Sequence, residues 1–116
     1  FLKNLDNKKY MTKFEMEGCS NYALIIIFNQ KYRNLQFRNR FEKKLISNNI
    51  EFRRGMSGGG NQIRQPYVKN FFKKKLNPKN FKNSEIVHFY SYYIGNFPSL
   101  KKNKIKKICR ILNNVN

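Results

Sequence analysis

Acidic residues are scarce in this chain. Six carboxylates, on Asp6, Glu15, Glu17, Glu42, Glu51 and Glu85, stand against 25 lysines and arginines, and the formal net charge is +19 over 116 residues. None of the six forms a convincing pair for acid–base catalysis. Tryptophan is absent and there is one histidine, His88. The two cysteines, Cys19 and Cys109, lie far apart and lack the CxxC or Cys/His spacing of a zinc site. They read as free thiols in a reducing cytoplasm. Long apolar runs are missing too. The stretch Tyr22–Phe28 has the length of a strand and is too short to span a bilayer, and no signal peptide is visible. No nucleophile elbow is present, and no lysine has the local signature of a Schiff-base lysine. By itself the chain does not look like a complete active site.

What is present suits one folded domain with a modest core. Apolar residues make up 40% of the chain, with 11 Phe and 7 Tyr, too many for a disordered segment. The positive charge points first to an anionic partner: nucleic acid, anionic lipid or a phosphorylated ligand. It has a second explanation. Lys, Asn, Ile, Phe and Tyr are all used heavily and all have AT-rich codons, so base composition alone would enrich lysine. The chain starts at Phe1 and its first residues read as a continuation, which suggests a piece of a longer protein.

Periodicity places the elements. Phe1–Gly18 is weakly patterned and reads as a connector with one helical turn at most. Tyr22–Phe28 is continuous, apolar and β-branched, the pattern of a strand buried on both faces. From Tyr32 to Asn48, Phe37, Phe41 and Leu45 recur every fourth residue, joined by Leu35 and Ile46, in an amphipathic helix that Asn48-Asn49 ends. Ile50–Arg54 reads as a short strand. Pro66 can open a helix running through Tyr67–Lys75, with Val68, Phe71 and Phe72 apolar. Leu76–Lys82 is a loop. Ser84 reads as a helix N-cap with Glu85 in the first turn. His88–Ile94 fits either the end of that helix or a strand. Gly95–Pro98 is a turn, and Ser99 caps a last helix with Leu100, Ile105, Ile108 and Leu112 inward and lysines outward. The order strand, helix, strand, loop, helix, strand, helix predicts an α+β fold: a small antiparallel or mixed sheet with helices mainly on one face.

The chemistry-bearing candidates gather around FRRGMSGGGNQIRQPY, Phe52 to Tyr67. Its glycines permit positive φ and close backbone approach, and successive amides in such a turn can form an anion-binding nest. Arg53, Arg54 and Arg64 could add bidentate bonds to phosphate. The stretch is neither a Walker A loop nor GxGxxG. Local chemistry leaves two readings open, a phosphate or substrate loop and a mobile surface loop. Asn61, Gln62 and Arg64 could read a sugar nucleotide or simply cap a helix. His88, among Phe89, Tyr90, Tyr92 and Tyr93, fits a packing residue better than a catalyst, and no partner for catalysis nominates itself. The aromatic cluster suits a core, or stacking on a base.

Three blocks in this order, SNYALIIIF (Ser20–Phe28), IEFRRGMSGGGNQIRQPYV (Ile50–Val68) and HFYSYYIGNFPSL (His88–Leu100), resemble the C-terminal small domain of the DegT/DnrJ/StrS family. The resemblance runs from Cys19 to the C-terminus. Members are fold-type I pyridoxal-phosphate enzymes that transaminate or dehydrate nucleotide-linked 4-keto sugars for deoxy-sugar, amino-sugar and surface-polysaccharide (lipopolysaccharide) synthesis. It implies that residues 1–18 connect to a missing N-terminal large domain and that 19–116 form the small domain. The large domain would hold pyridoxal 5'-phosphate and its lysine, or the histidine that replaces it in dehydratase relatives. The whole enzyme would be a cytoplasmic homodimer acting on a nucleotide-sugar substrate, with no membrane partner, and the isolated chain would be inactive. Carried over position by position, the substrate-side contacts would be Arg53, Ser57, Gly58, Gly59, Asn61, Gln62 and Arg64, with His88 in a second matching block. GMSGGGNQ-x-RQPY differs from the motif usual in the family's aminotransferases and suggests a subgroup; transamination and dehydration both stay open. Two other classes compete: a small basic nucleic-acid-binding module, which lacks any helix-turn-helix, RNP or KH signature, and a structural fragment that packs on a partner chain.

Overall fold

The computed structural model describes residues 1–72 and 76–116. Alternation decides how the first strand lies. In β1, Ala23–Ile27, Leu24 and Ile26 point into the core while Ile25 between them is 48% exposed. The strand is therefore not buried on both faces as its composition predicts. It is an edge strand of a three-stranded antiparallel sheet in the order β1-β3-β2, and helices cover one face of that sheet. A continuous apolar run permits two-sided burial but does not require it.

The central strand is β3, Ser91–Gly95, which pairs Leu24 with Ile94 and Ile26 with Tyr92 on the covered face. β2 is shorter than Ile50–Arg54. Only Arg53–Arg54 pairs, while Ile50 and Phe52 lead into it and pack half-buried against the core.

Above the covered face lies α1, Leu35–Ser47. Asn34 caps it by accepting the Phe37 amide at 2.8 Å. Phe37, Phe41 and Leu45 are buried, whereas Leu35 and Ile46, expected to join the stripe, fall outside that row and are exposed. The helix stops as its asparagines predict, with Asn49 at φ 53. Beside α1 runs α4, Lys102–Asn113, which buries Cys109 and Leu112 and half-buries Ile105 and Ile108. Ser99 does not cap it: the helix starts later, after Lys101, and Leu100 lies outside it. Rings dominate the core. Phe28 meets Phe41 at 4.9 Å and Phe37 at 5.0 Å, both edge-on, and Phe41 meets Tyr92 at 4.7 Å.

The stretch read as a connector is largely built into this core. It holds one 3-10 turn, Leu2–Asn4, and then buries Leu5 and Tyr10. The Tyr10 hydroxyl donates to the Leu112 carbonyl at 2.6 Å, and burial pushes its pKa far above the ordinary phenol range. The Asp6 amide donates to Asn113 Oδ1, the Asn113 side-chain amide donates to the Asn4 carbonyl, and Lys9 Nζ caps the Asn113 and Val115 carbonyls.

Two further helices follow the glycine loop. Pro66 is the first residue of α2, Pro66–Phe71, because its fixed φ suits a helix start. The helix ends at Phe71, and the expected continuation over residues 73–75 lies outside the described residues. Tyr67, Phe71 and Phe72 stay exposed. Next, α3 spans Lys82–Tyr90. It starts two residues before Ser84, with Phe81 at the N-cap, so Ser84 sits inside the first turn. The two readings of His88–Ile94 are each half met: α3 runs straight into β3, with Ser91 Oγ donating to the Val87 carbonyl at the junction. The molecule is a small α+β domain with an antiparallel sheet. Among the described residues no helix is long and apolar enough to cross a membrane.

Candidate functional site

Strand alternation sends the two arginines of β2 to opposite faces. Arg54 turns to the helices and grips Glu42 of α1 with two hydrogen bonds, at 2.8 and 2.6 Å, while Tyr92 donates to the same carboxylate at 2.5 Å. Burial opposes the charge on Glu42, but the bonds from Arg54 and Tyr92 outweigh it and hold its pKa below the ordinary range. Arg53 turns the other way, is exposed, and makes no ion pair among the described residues.

The chain then makes a 3-10 turn, Gly55–Gly58, wedged against α3. A Cβ at Gly55 would stand 2.0 Å from the Val87 carbonyl oxygen and 2.2 Å from Ser91 Oγ, so only glycine allows this approach. Gly60 holds φ 55, and a Cβ there would meet His88 Nδ1 at 2.3 Å.

Behind the turn is a polar knot. Asn61 is 2% exposed, and its backbone amide donates to His88 Nδ1 at 3.2 Å. An amide can only donate, so Nδ1 must carry no proton. Burial lowers the His88 pKa, the nearby Arg64 charge adds to that, and Glu85 opposes it. The Asn61 side chain donates to Glu85 Oε1 at 2.7 Å and to the Pro78 carbonyl at 3.3 Å, and its oxygen accepts the Ile63 amide. Arg64 meets Glu85 in a fork, at 2.7 and 2.6 Å, and lies 4.7 Å above the Phe89 ring. The Arg64 hydrogen bond brings the Glu85 pKa down to about 2 against the opposing effect of burial, with Asn61 helping.

The eight candidate residues therefore divide. Asn61, Arg64 and His88 meet around Glu85 and spend their polar groups inside the fold. The Gly59 carbonyl accepts from Gln65, and the exposed Gln62 accepts from the Tyr67 hydroxyl. Arg53, Ser57 and Gly58 face outward, and a Cβ at Gly58 would touch nothing within 4 Å. Arg53 lines a cavity of about 440 Å³, and Gly58 lines an adjoining hollow of about 380 Å³ on the open face of the sheet. The lining residues Tyr22, Phe97 and Glu51 are not among the sequence candidates. Tyr93 is read there only within an aromatic cluster, although alternation with the core residue Tyr92 puts it on the other face. The role of Glu85 is not legible in sequence, because its partner Arg64 is 21 residues away.

No described lysine lines either hollow, so neither offers a Schiff-base anchor for pyridoxal phosphate. Their donors fit an anion at the surface. Among the described residues no three His, Cys, Asp or Glu side chains gather to hold a metal ion. No family model, curated protein or solved structure matches the chain.

Proposed function

We propose that the chain is the C-terminal small domain of a cytoplasmic, pyridoxal-phosphate-dependent enzyme that transaminates or dehydrates a nucleotide-linked 4-keto sugar, and that it serves as the substrate-facing wall. The observation that carries this reading is the division of the loop: Asn61, Arg64 and His88 brace it from behind, while Arg53, Ser57 and Gly58 are exposed and Arg53 and Gly58 line adjoining hollows. A braced loop with one outward arginine is suited to hold a diphosphate in place without reorganising. The cofactor, with its lysine or the histidine that replaces it, and the dimer contacts would belong to a large domain outside this chain. The residues described here bind and orient; the cofactor supplies the electron sink.

The test is turnover of the full-length enzyme. Arg53→Ala should lower kcat/KM for the nucleotide sugar by about 10- to 100-fold, the loss of a charge-assisted bond to phosphate. Unchanged turnover would remove the loop's substrate role. An upstream reading frame without a cofactor domain would remove the enzyme itself.

The exposed basic face of α4, with Lys102, Lys104, Lys106, Lys107 and Arg110, favours the second reading, a nucleic-acid-binding module. Specific, steeply salt-dependent binding of single-stranded RNA would support it.

A further inference from the structure

Two hollows adjoin beside the loop. They share Tyr22, Ala23 and Tyr93 and together form a trough from Arg53 to Gly58; the smaller lies on the open face of the sheet, while the larger also reaches Ile50, Phe52, Ile94 and Ile108 of the covered side. The larger hollow, about 440 Å³, has the volume of a small-molecule site. Four aromatic residues line it, Tyr22, Phe52, Tyr93 and Phe97, and of these Phe52 also packs half-buried against the core. Tyr22 is 84% exposed and Phe97 54%, although the core of this protein takes up other rings completely. Arg53 and Glu51 bring opposite charges to the same hollow.

Each of these groups recognises something different. Aromatic faces take a flat π system, arginine takes a phosphate, and a carboxylate accepts ring or exocyclic N–H bonds. A nucleobase linked to a phosphate uses all three. We propose that the larger hollow receives the nucleobase of a nucleoside 5'-phosphate, that Arg53 takes its phosphate, and that whatever the phosphate carries points along the trough to Gly58. This rests on the loop being substrate-facing, and it adds which end of the substrate lies where.

The experiment is titration of the chain with AMP, GMP, CMP and UMP, with ribose 5-phosphate as the probe lacking a base, followed by NMR. At least one nucleotide should bind about tenfold more tightly than ribose 5-phosphate, the scale of one base stacked on aromatic side chains. Tyr22→Ala and Phe97→Ala alter exposed rings, so the fold should stay intact by circular dichroism. Each should reduce the nucleotide's advantage and leave ribose 5-phosphate unaffected. Arg53→Ala should weaken both probes. Equal affinity for nucleotides and ribose 5-phosphate would overturn the base site, and the loop reading would survive if Arg53→Ala still weakened both. Indifference of every probe to Arg53→Ala would overturn the loop reading together with this inference. The same base chemistry could come from a nucleic-acid strand. Tighter, steeply salt-dependent binding of a tetranucleotide would assign the stack to a strand and overturn the proposal as stated.

Discussion

The covered face of the sheet and the ground behind the glycine loop are held together in different ways. Under α1 and α4, rings fill space: Phe28, Phe37, Phe41 and Tyr92 are essentially sealed from water. Behind the loop, of Asn61, Arg64, Glu85 and His88 only Asn61 is sealed, and cohesion comes from the hydrogen bonds among these four. The first region depends mainly on volume, with one carboxylate, Glu42, held at its margin by Arg54 and Tyr92. The second depends on protonation states and on glycine conformations. The loop proposed to present Arg53 would gain from the second kind of support, because directional bonds fix position where packing alone fixes only proximity.

Four measurements would break or sharpen this contrast. Phe41→Ala should cost about 3–5 kcal/mol in urea unfolding, the range for an aromatic truncation that leaves a cavity. A cost below about 1 kcal/mol would mean that the covered face is not tightly packed. Gly60→Ala should cost about 1–3 kcal/mol through backbone strain and the collision with His88, and should unprotect the Asn61 amide in hydrogen exchange while leaving Phe41's surroundings protected.

Arg64→Ala should cost about 1–2 kcal/mol at neutral pH. The sign of its pH dependence follows from Glu85, whose folded pKa of about 2 lies below its ordinary 4.5. The stability this provides is present above about pH 4.5 and is lost as pH falls toward 2. Wild type and Arg64→Ala should therefore converge in acid, as thermal unfolding across that range would reveal.

The smallest effect concerns His88, whose folded pKa lies below its ordinary 6.5. Its contribution is full above pH 6.5 and is lost as pH falls through the folded value, because protonating Nδ1 sets N–H against the Asn61 N–H. His88→Asn keeps an acceptor near that position. It should stay within about 0.5 kcal/mol of wild type at neutral pH and show a flatter profile just below pH 6.5. A wild-type profile as flat as the variant's would mean that the imidazole bond does not support the loop.

Much of the covered face can be read from periodicity. The row Phe37, Phe41, Leu45 marks α1's inner side, and Asn48-Asn49 marks its end, because both signals are local. Where tertiary contact decides, local signals failed. Tyr10 reads as part of a connector but is buried by Phe28 and Leu112, far away in the chain. Ser84 and Ser99 look like caps, yet neighbouring backbone sets those helix starts without a side-chain bond. The candidate site is legible as a stretch but not in its division. Sequence marks Arg53 and Arg64 as equals. Strand parity turns one outward, and the distant Glu85 takes the other.

The bonds from Asn4, Asp6, Lys9 and Tyr10 to residues 112–115 close the chain into a near-ring. A short bridge between those segments, with new ends opened at the exposed Leu76-Asn77, would give a circular permutant that keeps the whole ring-filled interior. The same closure bears on mechanics. A body pinned to a neighbour through that one seam can swing as a unit without loosening its interior.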